Sequence, residues 1–347
     1  MPSRYAFYGR LPTEQSNPAS RGLDLKSTRQ IVALLNRQDL LVPRAVARVR
    51  GALVKAADAA AEALRRGRGL VMVGAGTSGR MGVLEAAECP PTFGTPRGLI
   101  RAVMAGGRSS VFRAREGAED DPKDGARQLR RVARRGDLVI GIAASGITPF
   151  VRGALGAARG LGCRTVLVTS NFRTPVPEAE IVVAPDVGPE SLSGSTRMKS
   201  GTAAKLVLNT ITTAAMVRIG KAYDNWMVDL RPTSYKLRLR GIRIVGHLVG
   251  VGPARAAALF DASGGHVKTA VVMGRLRLDR SAARRRIRAA GGRLRDALEA
   301  GLSPSGTPQD PAGRSERSTS AARASRTARV EKGLRAALEA GRKEGGR

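Results

Sequence analysis

Five short apolar runs, residues 70–73, 99–104, 138–142, 165–168 and 181–184, punctuate the middle of the chain with turns and helix-like stretches between them. They hold aliphatic and β-branched residues without polar alternation. Strands of that kind are buried on both faces, which requires a parallel sheet with helices packed above and below. The expected fold class is therefore α/β, a three-layer sandwich built around a parallel sheet.

Around this centre the pattern is helical. Residues 1–20 are polar and contain proline, and read as an arm. Ile31, Leu34 and Leu35 then recur at helical spacing behind a Ser27 or Thr28 N-cap, and a second helix is predicted from Pro43 to Leu64 with Gly67 past its end. A long helix is predicted from Thr196 to Ile219. After Lys236 no strand pattern returns, and short helices joined by glycine turns run to Ala300. Beyond Ser303 the composition is that of a linker. The expected organisation is an arm with helices over 1–61, the sandwich over 62–225, a small helical module over 236–300 and a flexible basic tail over 303–347.

Composition limits what such a chain can do. The formal net charge of +32 points at first to a polyanion, but the arginines are spread along the chain and only 3% of residues are aromatic, so stacking platforms for bases are scarce and no nucleic-acid partner is expected. Cys89 and Cys163 make no disulfide framework. With His247 and His266 the only histidines, no metal site is expected. No apolar run approaches the roughly 20 residues that span a bilayer, and residues 1–10 lack an apolar leader core, so a cytoplasmic protein without a membrane partner is predicted.

The first run leads into Gly74-Ala75-Gly76-Thr77-Ser78-Gly79, followed at once by a helix-like stretch. A strand that delivers a glycine- and hydroxyl-bearing turn to a helix N-terminus makes a phosphate cradle, and the spacing also satisfies the dinucleotide fingerprint. A dinucleotide site requires an acidic residue at the end of the next strand, about 20 residues on. That strand ends Val103-Met104-Ala105-Gly106-Gly107-Arg108, without one. The phosphate reading gains from a second turn of the same kind, Ala144-Ser145-Gly146-Ile147-Thr148, and a third cluster, Ser193 to Lys199, at the start of the long helix. Gly76, Thr77, Ser78, Ser145, Gly146, Thr148, Ser195, Thr196 and Lys199 are accordingly the expected phosphate ligands.

Two carboxylates stand out by position. Glu88 precedes Cys89-Pro90-Pro91, where the prolines are expected to end the helix, and Glu119 precedes the next helix. Both are expected in loops at the carboxyl edge of the sheet, where one acid and one base can divide proton transfers on a sugar. The Glu119-Asp120-Asp121 run should raise the pKa of Glu119.

At this point the chain closely resembles the bacterial N-acetylmuramic acid 6-phosphate etherases, of the sugar isomerase (SIS) fold. The resemblance is carried in order by residues 13–20, 74–80, 88–94, 116–120, 141–146, 194–203 and 205–209, and fades after Asp229. It implies cleavage of the D-lactyl ether of N-acetylmuramic acid 6-phosphate to N-acetylglucosamine 6-phosphate and D-lactate during cell-wall amino sugar recycling. The implied chemistry is that of a carbon–oxygen lyase of the hydro-lyase class, with no cofactor. The family's base falls on Glu119 and its acid on Glu88. Relatives are homodimers with the site near the subunit boundary, and their C-terminal module resembles a ubiquitin-associated domain. Glucokinase regulatory protein, of the same fold, supplies the alternative of a non-catalytic sensor of sugar phosphates. Ile147 stands where the family usually has Arg, and Glu85 where it usually has Asp.

Overall fold

The computed structural model describes residues 6, 8–171 and 173–299; the expected tail over 303–347 lies outside them. Residues 1–300 form one compact unit. The arm makes three 3-10 turns, Pro12–Glu14, Pro18–Ser20 and Leu23–Leu25. It is anchored by Asn17, whose Nδ2 donates to Gln38 Oε1 at 2.9 Å and to the Pro189 carbonyl at 3.0 Å.

Helix α1 (Thr28–Asp39) opens with a capping box between Ser27 and Gln30. The helix expected from Pro43 to Leu64 is in fact two, α2 (Leu41–Arg48) and α3 (Arg50–Arg65). At Val49, with φ −96° and ψ 20°, the backbone leaves the helical basin, and its N–H bonds instead to the Val46 carbonyl. The break lets both helices bury apolar residues in one core, Val42, Ala45 and Val46 from α2 and Leu53, Ala56 and Ala60 from α3.

Five parallel strands follow: β1 (Leu70–Gly74), β2 (Ile100–Met104), β3 (Leu138–Ile142), β4 (Arg164–Val168) and β5 (Ile181–Val183). Their order is β2-β1-β3-β4-β5. Helices α4 (Gly76–Phe93), α5 (Pro122–Val132), α6 (Pro149–Gly160) and α7 (Lys199–Arg218) complete the layers. Alternate strand residues serve opposite faces, as a pleated strand requires. Leu70, Met72, Leu138 and Ile140 pack with α2, α3, α4 and α7, while Val71, Val73 and Val139 pack with Leu129 of α5 and Phe150, Val151 and Leu155 of α6.

Helix α4 does not end before its prolines. Pro90 and Pro91 lie inside it, and it closes at Phe93 with Gly94 in the left-handed conformation and the Gly94 N–H on the Pro90 carbonyl at 3.0 Å. The prolines forfeit two hydrogen bonds in the last turns, and burial of Cys89 and Phe93 in the core offsets the loss. Glu88 is thus a mid-helix residue rather than a loop residue.

Helices α5 and α6 touch through backbone. A Cβ on Gly125 would lie 2.0 Å from the Phe150 carbonyl oxygen, and one on Gly153 would lie 2.0 Å from that of Pro122. At the amino edge of the sheet Asp137, 1% exposed, accepts from the Gly69 N–H, the Arg134 N–H and Arg101 Nη2, each at 2.7 Å.

After α7, a short hairpin of β6 (Ala222–Tyr223) and β7 (Trp226–Met227) leads to α8 (Tyr235–Val249), α9 (Pro253–Ala262), α10 (Val267–Leu276), α11 (Arg280–Ala289) and α12 (Leu294–Glu299). These helices share their own core, with Ile244, Phe260, Val271 and Leu298 among its members. Lys221 and Lys268 both pair with Asp229 Oδ2, at 2.9 and 2.7 Å. No helix among the described residues is long and apolar enough to cross a membrane.

Candidate active site

The chain leaves β1 for β2 on one side and later enters β3 on the other. The carboxyl ends of β1 and β3 therefore form the switch point, where open parallel sheets hold their ligands. Helix α4 starts there. Its N-cap residue Ala75 carries no capping side chain, and Gly76 takes φ 51°, so the first-turn amides of Gly76, Thr77 and Ser78 point outward without a side-chain acceptor. Gly79 cannot be larger, since a Cβ there would lie 2.3 Å from Met104 Sδ and 2.7 Å from the Gly74 carbonyl oxygen.

The second expected turn stands beside the first. Gly146 has φ 73°, the Ile147 N–H donates weakly to Ser145 Oγ at 3.4 Å, and Thr148 opens α6 without a side-chain cap. Thr169 and Asn171, which the sequence reading passed over, hold this turn in shape. Thr169 Oγ1 donates to the Ala144 carbonyl at 3.0 Å, and Asn171 Nδ2 donates to the Ser145 carbonyl at 2.8 Å. They follow β4 as Ser145 follows β3, so the repetition of hydroxyl-bearing strand ends was the signal for them. Ser78 lines a tight cleft with Ala144, Thr169, Ser170 and Ser200.

The third cluster divides. Its turn approaches the first across Gly201, where a Cβ would lie 3.4 Å from Thr77 Cγ2 and 3.5 Å from the Thr196 carbonyl oxygen, so Thr196 stands near the first turn. Lys199 does not join them. It is 2% exposed, its ammonium donates to Gln38 Oε1 at 3.0 Å, and burial lowers its pKa. The N-terminus of α7 is already filled, because buried Glu190 accepts from the Lys199 and Ser200 N–H groups at 2.9 Å each.

Glu119 lies at the mouth of a cavity of about 170 Å³ that it lines with Gly76, Arg80, Ser110, Arg115 and Glu116. Its own carbonyl accepts the Phe150 N–H at 2.9 Å, which ties the loop carrying it to the turn of Ser145 and Thr148. The carboxyl is reached by solvent, yet enough protein presses on it that desolvation first, then the charges of Asp120 and Glu116, raise its pKa above the ordinary 4.5.

Glu88 is elsewhere. It sits twelve residues along α4 from Gly76, about 18 Å down the helix axis. Its Oε2 lies 3.6 Å from Lys205 Nζ, whose nearer partner is Glu85 Oε2 at 3.0 Å. Glu85 also accepts from Thr212 Oγ1 at 2.5 Å, so both of its carboxylate oxygens are engaged. Burial, aided by Glu85, pushes the neighbouring Cys89 thiol up to about 12, which leaves it unreactive. Within one chain, then, Glu119 shares a cavity with Gly76 and is tied through Phe150 to the turn of Ser145 and Thr148, while Lys199 and Glu88 point into other surroundings.

Fold and site together define an α/β protein with an uncapped helix N-terminus at the switch point of a parallel sheet and, one strand away, a carboxyl of raised pKa. Residues 52–159 match the model of the glucokinase regulatory protein N-terminal SIS domain. The chain is 46% identical over 295 residues to an N-acetylmuramic acid 6-phosphate etherase of Pectobacterium atrosepticum, a match that covers 84% of this chain and 97% of the relative. It is 49% identical over 292 residues to one of Salinibacter ruber, over 83% of this chain and 94% of the relative. A phosphoheptose isomerase from Francisella tularensis is similar in structure, with a TM-score of 0.44 and 14% identity over 55% of this chain and 99% of that one. The chain belongs to the N-acetylmuramic acid 6-phosphate etherase family.

Proposed function

We propose that the protein is a carbon–oxygen lyase of the cytoplasm that converts N-acetylmuramic acid 6-phosphate and water to N-acetylglucosamine 6-phosphate and D-lactate. The names of the relatives support this activity and give no support to the sensor alternative. The observation that carries the chemistry is the raised pKa of Glu119 in a cavity that shares Gly76 with the uncapped start of α4. Phosphate held by the turns of Thr77, Ser78, Ser145 and Thr148 presents the open-chain sugar to that carboxyl. The aldehyde makes the C2 proton acidic. Glu119 takes it, the C3–oxygen bond breaks, and the lactate alkoxide leaves with a proton from an acid. Water then adds at C3 of the unsaturated aldehyde, and C2 regains a proton.

The acid role implied for Glu88 needs a second copy of the chain. On α4 the exposed residues Gly76, Leu84, Ala87, Glu88 and Pro91 lie along one side of the helix. In a homodimer with the two α4 helices antiparallel about a two-fold axis, Glu88 of one copy comes to the phosphate turn of the other.

Turnover in heavy-oxygen water tests the mechanism. The product sugar should carry the label at C3; label in lactate with none in the sugar would refute elimination. The pH profile tests the base. Because the Glu119 pKa is raised and its ionised form is the active one, kcat/KM should fall as pH drops through a midpoint above 4.5. Asp120→Asn removes a neighbouring charge that favours the protonated form, and should move this acid limb to lower pH. An unmoved limb would assign it to another group.

A further inference from the structure

Glu119 must reach C2, so the substituent on C3 shares its cavity. If the proposed reaction is right, that substituent is a lactyl ether with a free carboxylate. The cavity wall holds four charged side chains, Arg80 and Arg115 against Glu116 and Glu119. Arg80 is the anchored cation. Its Nε donates to the Val111 carbonyl at 2.8 Å and its Nη2 to the Ser110 carbonyl at 3.0 Å. Those two bonds occupy one edge of the guanidinium and leave the Nη1/Nη2 edge for a second, bidentate partner. Arg115 is exposed and has no hydrogen bond among the described residues, so ordering it would cost side-chain entropy that Arg80 has already lost.

We propose that Arg80 grips the carboxylate of the departing lactyl group and so selects the leaving group. Phosphate is the other anion open to Arg80, but the surroundings argue against it. Arg80 lines the cavity bounded by Met104 at the end of β2 and Ala105 just beyond it, whereas the cleft lined by Ser78 is bounded by Ile142 of β3 and Val168 of β4.

The inference rests on the etherase reading, and its test separates the two. Turnover is measured on N-acetylmuramic acid 6-phosphate and on the analogue whose lactyl carboxylate is a carboxamide. Arg80→Ala should lower kcat/KM on the acid about 100-fold and on the amide by no more than about threefold. Arg80→Lys should fall between, since an ammonium cannot fork. Equal losses on both substrates would overturn the proposal and make Arg80 a phosphate ligand or a brace for the 108–111 turn. If the unchanged protein releases neither lactate nor lactamide, the etherase reading fails and the proposal fails with it. Should Arg80→Ala not fold, Arg80→Gln keeps an uncharged N–H donor for the 110–111 carbonyls and should show the same preference as an acid-selective loss of about tenfold.

Discussion

Glu119→Gln should lower lactate release by about 10³-fold without lowering the melting temperature. The side chain makes no bond that the fold needs, because it is the carbonyl of residue 119 that accepts the Phe150 N–H. Phosphate binding should survive, and exchange of the C2 proton with deuterated solvent should vanish. Retained exchange would move the base to another residue. Glu88→Gln should be as inactive in release but should still exchange C2, since departure of the lactate, not removal of the proton, loses its acid. The proposed dimeric arrangement adds a sharper result. When the two inactive variants are mixed and allowed to exchange subunits, half of the dimers pair one of each, and one of the two sites in each mixed dimer is intact, so about a quarter of the parental activity should return. No recovery from verified mixed dimers would place Glu88 outside the partner's site.

Asp137→Ala should have the largest effect on stability, about 3–5 kcal/mol. Its carboxylate is buried and satisfies two backbone N–H groups and the Arg101 guanidinium, which itself also bonds the Val132 carbonyl. Removing it strands a half-buried cation and two donors at once. For a unit of this size the melting temperature should drop by roughly 10 °C, while kcat measured well below the transition should be unchanged, because Asp137 stands at the amino edge of the sheet. A loss under about 1 kcal/mol would show that water readily replaces the carboxylate.

The strands were readable because a run buried on both faces has no polar alternation to confuse it, and all five appear with ends shifted by a residue or so. The uncapped glycine turn before α4 was readable for a similar reason: its conformation is local. What depended on distant packing was not. Val49 breaks a helix for the sake of a shared core, and Pro90 and Pro91 stay helical because Cys89 and Phe93 are held from outside. Ser195, Thr196 and Lys199 look equivalent along the chain, yet Glu190 and Gln38 withdraw Lys199 from the switch point, and nothing in the local pattern announces either partner. Arg80 and Ser110 lay in view but carried no meaning until the 108–111 turn was seen to fold over the start of α4.

The meeting of Gly125 and Gly153 has one more consequence. Because α5 and α6 touch main chain to main chain, the loop that ends at Glu119 and the turn that begins α6 behave as a single stiff body. If Glu119 is the base and the turn of Ser145 and Thr148 holds the phosphate, as proposed, the gap between them is a gauge set for a sugar whose reacting carbon lies four bonds from the one that bears the phosphoester. A substrate with its phosphate one carbon nearer would be held firmly and left unreacted.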